Sequence, residues 1–490
     1  MTAITTAGLA QGVVVAVFAV AVVGIVVALL TDDRDPTTVI AWLLVVTLVP
    51  FLGVVLYFFI GRNYRRETPL RQRVMGQIEA EAAHVLAPVY EAHKEFATEA
   101  KASLAGTSAQ KLAEMNERAG GTAILPAGSV EIFTCGAEKF SALLADLRNA
   151  QHHVHLMYLI WERDELTAKV TEILLAKLQQ GVEVRILYDF VTCLFYRKDE
   201  LRRLAAAGAS VKPCFKRLGQ INYRNHMKIV LIDGEVVYTG GMNMGQEYID
   251  GGRRFARWRD THLRLTGSVI APFAILFAAL WRLNGEHEDI VSGYLPAPRG
   301  ESNGSDVSDV PVQVLHSSVA TPFKAIRDAC IVALLEAHES VWIQTPYFIP
   351  DEPLLNAMRT AALAGTDVRL MTVGVPDKKL VKWAAHPYYK QVLESGCRVY
   401  QYTAGFLHAK TVTVDGRWCV IGTCNWDIRS MILHEEVSCV FYEEDLARRQ
   451  AEVFRDDLGS CREFTLADWH AQSTGEHLRN SFLRLFSRLL

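Results

Sequence analysis

The sequence predicts an α/β protein in which two pseudo-symmetric α/β sandwich halves form one body, preceded by two transmembrane helices. Three observations lead there. Two long uncharged apolar runs stand at the N-terminus. Behind them, short apolar strands alternate with helical periodicity, the pattern of a mostly buried sheet flanked by helices. The third is an internal repeat: a polar motif recurs at a constant offset of 182 residues, and such repetition governs the choice of fold.

The elements can be justified in order. Gly12 to Leu30 is nineteen residues without a charge, and Val39 to Ile60 is a second such run of twenty-two. At about 1.5 Å per residue each is long enough for a hydrocarbon core about 30 Å thick, and Pro50 and Gly53 are tolerable in a bilayer helix. No Lys or Arg precedes the first run and no small-residue cleavage pattern follows it, so a cleaved leader is disfavoured. The intervening loop carries Asp32, Asp33 and Asp35 against Arg34, whereas Arg62, Arg65, Arg66, Arg71 and Arg73 follow the second run. The positive-inside rule then puts both termini and everything after Gly61 in the cytoplasm.

Residues 1–61 are thus read as an anchor (spans 12–30 and 39–60) and 62–120 as a helical linker with Val74, Ile78, Ala82 and Val85 at helical spacing. Residues 121–295 form the first half, the Pro-, Gly- and Ser-rich 296–311 a second linker, and 312–490 the second half. Its last segment, His477 to Leu490, is an amphipathic helix with Leu478, Phe482, Leu485, Phe486 and Leu489 on one face. Nine cysteines without regular spacing read as reduced thiols. With 51 basic and 54 acidic residues the chain is no general nucleic-acid binder, although a local basic patch is compatible with that balance.

The repeat carries the chemistry. Asn225-His226-Met227-Lys228 leading to Asp233-Gly234 is echoed by Leu407-His408-Ala409-Lys410 leading to Asp415-Gly416, and Asn243 matches Asn425. On a strand, period-two alternation puts His226 and Lys228 on one face and His408 and Lys410 on the equivalent face of the other half. If the motif strands meet at a pseudo-dyad, two His, two Lys and two Asn share one pocket. Such a pocket suits a phosphodiester: ammonium and amide donors hold the non-bridging oxygens, one neutral imidazole attacks phosphorus, and the other donates a proton to the leaving alkoxide.

These paired motifs resemble those of the phospholipase D superfamily. Gly61-Arg62-Asn63, Tyr238-Thr239-Gly240-Gly241-Met242-Asn243, Trp258-Arg259-Asp260, Asn425-Trp426-Asp427-Ile428-Arg429-Ser430 and the two spans make the chain similar to the bacterial cardiolipin synthases within it. The resemblance implies phospholipase D-like halves and transphosphatidylation through a phosphatidyl-histidine, two phosphatidylglycerols giving cardiolipin and glycerol. It places the nucleophile at His226 and the acid, later base, at His408, with Lys228, Lys410, Asn243 and Asn425 on phosphate. Asp233 and Asp415 complete the catalytic motif, more as braces of the strand and turn than as substrate contacts. Asp260 and Glu436 are the histidine-orienting carboxylates, Asp260 for the first half and Glu436 for the second. Where the family commonly has Asn two residues before Glu436, this chain has His434.

The resemblance further implies anionic phospholipid partners, a bacterial inner-membrane multi-pass location with the catalytic part cytoplasmic, and no cofactor, metal or nucleic acid; a homo-oligomer is left open. The alternatives are a phospholipase D-type hydrolase, a transferase using another lipid such as phosphatidylethanolamine, a nuclease and a catalytically dead scaffold. His152, His153 and His155 read as strand-edge histidines rather than a metal site. Arg253, Arg254, Arg257 and Arg259 are either a solvated loop or a cationic rim.

Overall fold

The computed structural model describes residues 2–31, 36–61, 69–120, 122–194, 199–216, 222–285, 294–295 and 309–489. It divides into two compact units, residues 1–74 with 215–223, and residues 75–214 with 224–490.

In the first unit, α1 (Thr2–Leu30) is a continuous apolar helix, and its Ala10–Leu30 portion is long and apolar enough to cross a membrane. The second apolar run departs from the expected single helix. It forms α2 (Pro36–Leu48) and α3 (Pro50–Leu56), closed by a π-helical turn over Tyr57–Gly61. Pro50 has no N–H to continue the ladder. The chain bends there, and α3 lies against α2, with Trp42 and Tyr57 edge to face at 5.5 Å. Gly53 makes the approach feasible, because a Cβ there would stand 2.5 Å from the Val45 carbonyl oxygen. Of the arginines behind the run, Arg62, Arg65 and Arg66 lie outside the described residues, as do the side chains of Arg71 and Arg73.

The second unit holds both halves. After α4 (Pro69–Ala92), α5 (Lys94–Ser103) and α6 (Gln110–Gly120) come β1 (Leu125–Ala127), β2 (Ser129–Phe133), β3 (His153–Tyr158), β4 (Glu183–Asp189), β5 (Ser210–Cys214), β6 (Ile229–Ile232), β7 (Val236–Gly240), β8 (Trp258–Arg259) and β9 (His262–Thr266). The second half contributes β10 (Val310–Ser317), β11 (Ser340–Gln344), β12 (Phe348–Ile349), β13 (Asp367–Val373), β14 (Arg398–Tyr402), β15 (Phe406–Leu407), β16 (Thr411–Val414), β17 (Trp418–Gly422), β18 (Trp426–Asp427), β19 (Glu436–Phe441) and β20 (Cys461–Phe464).

The seven-stranded first sheet runs β2-β9-β7-β6-β3-β4-β5. Seven strands of the nine-stranded second sheet repeat that order as β10-β19-β17-β16-β11-β13-β14. The hairpin register repeats too: Ile229 faces Thr239 in one half and Thr411 faces Ile421 in the other, both offset by the 182 residues of the motif. Val154, Leu156, Ile186 and Val230 bury one sheet, and Ile343, Leu370, Val399 and Val412 the other, as β-branched and Leu-rich strands covered by helices should.

The domain limits shift relative to expectation. Strand β1, placed by sequence in the first half, pairs antiparallel with β10 at the edge of the second sheet, Leu125 opposite Val312. The expected linker also belongs there, since Ala97, Ala100, Leu104, Leu112 and Ala113 of α5 and α6 sit in the second half's apolar core. The helical spacing read from the sequence, Val74 to Val85, falls in α4, and it says nothing of the sheet on which α5 and α6 pack. Most of the 296–311 linker lies outside the described residues.

Met371, Val373, Tyr402, Phe406 and Phe454 from the second half pack in the apolar cluster of the first, so the halves share a core. A buried ion pair crosses the same interface. Arg259 Nη2 lies 2.8 Å and Nε 3.0 Å from the Asp457 carboxylate, whose other contact is the Gln344 amide at 2.8 Å. Arg259 is therefore no part of a cationic rim, whereas Arg253, Arg254 and Arg257 are exposed. His153 and His155 are likewise not at a strand edge: they lie on central strand β3, with His155 stacked on Phe277 at 4.7 Å and bonded to Glu183 at 2.9 Å. The C-terminal helix, Thr474–Arg484, packs on Lys379–Leu393 and leaves Leu478, Phe482 and Leu485 exposed.

Removing one member of a buried ion pair strands the other charge, a loss of about 3–5 kcal/mol. Asp457→Leu should accordingly lower the thermal unfolding temperature of the detergent-solubilised protein by several degrees, with Asp457→Asn intermediate. Unchanged melting would show that Arg259 is solvated or otherwise neutralised.

Candidate active site

Each motif strand begins where the two halves meet. The segment ahead of β6 forms a parallel bridge, Asn225 opposite Glu435, with the His226 N–H donating to the Glu435 carbonyl at 3.0 Å and the Glu435 N–H to the Arg224 carbonyl at 2.9 Å. The segment ahead of β16 does the same in mirror order. There β15 pairs in parallel with β8, Leu407 opposite Arg259, and the His408 N–H donates to the Arg259 carbonyl at 2.6 Å. Each motif histidine is thereby fixed by backbone of the opposite half.

The carboxylates cross over as well. His226 Nδ1 lies 2.8 and 3.0 Å from the two oxygens of Glu436, and His408 Nδ1 lies 2.7 Å from Asp260 Oδ2. The sequence expectation kept each carboxylate within its own half; the structure instead joins first-half His226 to second-half Glu436 and second-half His408 to first-half Asp260. Asp260 stands seventeen residues after Asn243 while Glu436 stands eleven after Asn425, because the short helix Glu247–Asp250 and an exposed Arg-containing turn are inserted in the first half. Gly241 gives the shorter carboxylate its room: a Cβ there would lie 1.9 Å from Asp260 Oδ1. At the matching position Thr423 instead donates its hydroxyl to Glu436.

Lys228 and Lys410 are buried, and each Nζ donates to the carbonyl of its own motif histidine two residues back. Asn243 and Asn425 are buried too, and the Oδ1 of each has no hydrogen-bond partner among the described residues. Asn243 Nδ2 meets the Tyr248 hydroxyl at 2.8 Å. The two ends of an amide are isosteric, so rotation about the terminal bond presents N–H instead of oxygen to an incoming acceptor.

Asp233 and Asp415 do not join this group. Both occupy left-handed turn positions (φ 54° and 52°) followed by Gly234 and Gly416, the Asp-Gly pattern of a tight hairpin. The Asp233 carboxylate accepts from the backbone N–H groups of Gln151, His152 and His153 at 2.7–2.8 Å. Asp415 accepts from His338, Glu339 and Ser340 at 2.8–3.1 Å and from the Ser108 hydroxyl at 2.9 Å. Burial opposes ionisation of both, yet these bonds hold each carboxyl below its ordinary range. They brace the far end of the motif strand, five residues beyond the lysine, on the order of 16 Å away at strand rise.

Electrostatics follow from four basic groups meeting two carboxylates out of water. Burial, then Lys228 and the other cations, push His226 well below its usual range, and burial with Lys410 takes His408 to about 4, against Asp260. Both imidazoles are neutral at pH 7, the form a nucleophile needs. Burial lowers Lys228 to about 7 and Lys410 to about 8, although Glu436 and Asp260 pull the other way. Burial pushes Glu436 up to about 8, partly offset by Lys228 and Thr423. Burial would raise Asp260 likewise, but His408 and Lys410 outweigh it and keep it ionised. A bound tetrahedral oxyanion would restore the lost protons.

Sequence reasoning gave no role to Tyr248 or Phe406, nor to Thr423 and Trp258, although both of the latter lie in the motifs that the sequence singles out. Trp258 and Phe406 pack on His408, with ring centres 5.5 and 5.7 Å away. Their signal was positional, two residues before each paired carboxylate or histidine, and became readable only once the crossed pairing was known.

The family model described as "Cardiolipin synthase, PLD-like domain" matches residues 143–253 and 330–458, and that described as "Phospholipase_D-nuclease N-terminal" matches 17–62. The major cardiolipin synthase of Bacillus subtilis is 34% identical over 478 residues, covering 95% of this chain and 96% of its own. A cardiolipin synthase of Geobacillus thermodenitrificans is 33% identical over 464 residues, covering 94% and 90%. Among solved structures, phosphatidylserine synthase of Haemophilus influenzae superposes with a TM-score of 0.57 at 17% identity, over 77% of this chain and 98% of that one, which supports the shared α/β fold.

Since the free lysines sit at about 7 and 8 and an anion raises them, binding takes up protons and weakens as pH rises through 7 to 9. Titration calorimetry of sulfate, whose own charge is constant there, should show affinity falling with pH and proton uptake that depends on buffer ionisation enthalpy. Affinity that is flat or rises with pH would contradict the charge arrangement.

Proposed function

The chain belongs to the cardiolipin synthase family of phospholipase D-like proteins, and from that premise we propose that it joins two phosphatidylglycerols into cardiolipin and glycerol at the paired-histidine site. The observation that supports this reading is the crossed pairing, which gives each imidazole a carboxylate from the other half and a neighbouring lysine, with the two groups near enough for their charges to bear on one another. A phosphodiester fits it. Lys228 and Lys410, with Asn243 and Asn425, take the non-bridging oxygens and the charge that builds on them in the transition state.

One imidazole attacks phosphorus while the other supplies a proton to the departing glycerol oxygen, leaving a phosphatidyl-histidine. The second imidazole, now neutral, takes the proton of an incoming hydroxyl, which attacks phosphorus and releases the first. Asp260 and Glu436 hold the far nitrogens and so fix which nitrogen reacts. Asp233 and Asp415 act at a distance, by setting the register of the motif strands.

The anchor supplies the setting. The apolar N-terminus supports attachment to a bacterial membrane, and the arginines that follow it favour a cytoplasmic catalytic body in a multi-pass topology. That body would meet anionic lipid at the inner surface. The exposed Leu478, Phe482 and Leu485 suit a lipid surface, whereas Arg479 and Arg484 stack on Trp383 and Tyr388 of the helix beneath.

Purified protein given phosphatidylglycerol alone should form cardiolipin and glycerol in equal amounts, undiminished by EDTA. His226→Ala and His408→Ala should each lower the rate by at least about a thousandfold, while Asp415→Ala acts through stability. Phosphatidic acid in place of cardiolipin would favour the hydrolase reading.

A further inference from the structure

The crossed bridges define which residues are equivalent across the pseudo-dyad. Asn225 opposite Glu435 corresponds to Leu407 opposite Arg259, so Arg224 matches Phe406 and His434 matches Trp258. The catalytic groups are the same on both sides; these flanking residues are not. On the His408 side, Phe406 and Trp258 press aromatic rings on the imidazole, backed by Phe255 at 4.8 Å from Phe406.

On the His226 side the neighbours are basic. The His434 ring centre lies 5.9 Å from that of His226, and its Nδ1 is 3.9 Å from Glu436 Oε1, beyond hydrogen-bond range. Both ring nitrogens of His434 are buried with no hydrogen-bond partner among the described residues. Arg224 lies close enough for its charge to bear on His434, and it also faces the Asp189 carboxylate. Arg429, whose carbonyl accepts the His434 N–H at 2.9 Å, brings a second guanidinium, which burial and the Arg224 charge both lower against the pull of Asp427. A partnerless, neutral buried imidazole beside two guanidiniums, one facing Asp189 and the other Asp427 and the Leu489 carbonyl, is a setting for anionic oxygens.

We propose that the site is polarised: His434, Arg224 and Arg429 bind the phosphodiester of the acceptor lipid on the His226 side, and His408 carries the phosphatidyl group. The inference rests on the synthase reading above and deepens it. The phosphate of the second lipid sits one glycerol away from its attacking hydroxyl. Attacking and leaving groups lie in line across phosphorus, so an acceptor beside His226 requires the nucleophile to be His408. This reverses the order that family resemblance implies.

The charge states agree, since Asp260 is held ionised behind His408 whereas burial favours a protonated Glu436 behind His226, a pair with a proton to give. In the first step the His408 Nε2–P bond forms, the P–O bond to glycerol breaks, and the proton of the His226–Glu436 pair passes to the glycerol oxygen. In the second, the acceptor hydroxyl gives its proton back to that pair, its oxygen bonds phosphorus, and the N–P bond breaks.

A phosphatidyl donor bearing p-nitrophenolate, a leaving group that needs no proton, separates the roles. His226→Ala should release about one nitrophenolate per site in a burst and His408→Ala none; a burst from His408→Ala with none from His226→Ala overturns the assignment. For the subsite, cardiolipin formation is compared with exchange of labelled free glycerol into phosphatidylglycerol, which needs no acceptor phosphate. In His434→Ala and Arg429→Gln the ratio of synthesis to exchange should fall about tenfold or more, and an equal decline of both reactions overturns the subsite. Failure of the synthase reading itself is visible in the unaltered protein, as nitrophenolate release without cardiolipin from phosphatidylglycerol.

Discussion

The pairing of each histidine with a carboxylate from the other half is the constraint on which the rest depends. It is enforced by backbone, because the peptides of His226 and His408 bond directly to Glu435 and Arg259, the residues that precede the two carboxylates. A side chain can swing by several ångströms, whereas a paired strand end cannot shift without breaking its ladder. The shared apolar core and the Arg259–Asp457 pair then keep the halves in that register. Arg259 itself links the two scales, since it ties the interface together and bonds the backbone carbonyl of Asp260 and the Thr261 hydroxyl.

The same burial sets the chemistry. Two histidines and two lysines taken out of water cannot all hold protons, so they give them up until an anion arrives. Neutral imidazole is the useful outcome for a nucleophile, and a lysine poised near neutrality becomes a full cation only when there is phosphate to hold. The buried site is thus complementary to anionic charge, which is the direction electrostatic catalysis requires.

Much of this was legible in the sequence. The repeat marks His226, Lys228, His408 and Lys410 as equivalent positions, which the structure places just ahead of β6 and β16, and the alternation of short apolar runs with helical ones points to the α/β class, although not to the strand order. What escaped was everything that depends on a partner remote in sequence. Nothing in Glu436 says that its histidine lies 210 residues away in the other half, and nothing in Leu125–Ala127 says which sheet edge it closes. Arg259 looked like one member of a basic run, yet its side chain alone turns inward. The second apolar run had the length of a span, but Pro50 and Gly53 together let it fold back, a property of backbone rather than of hydropathy.

The crossing also explains where the two halves are free to differ. Neither half alone contains a complete histidine–carboxylate pair, so the four residues of the two pairs must persist together for either to work. In the proposed reaction, lysine and asparagine answer to the same symmetry, because a phosphate offers equivalent non-bridging oxygens. The residues beside the histidines face no such demand, because the groups that enter and leave phosphorus occupy opposite sides and differ in chemistry. A transferase that uses a lipid as acceptor needs one side to accept a second anion. A symmetric pocket would offer that anion two places and the reaction two directions. His434 and Arg224 opposite Trp258 and Phe406 are therefore where a duplicated fold acquires a direction, and the departure from symmetry carries functional information that the conserved set cannot.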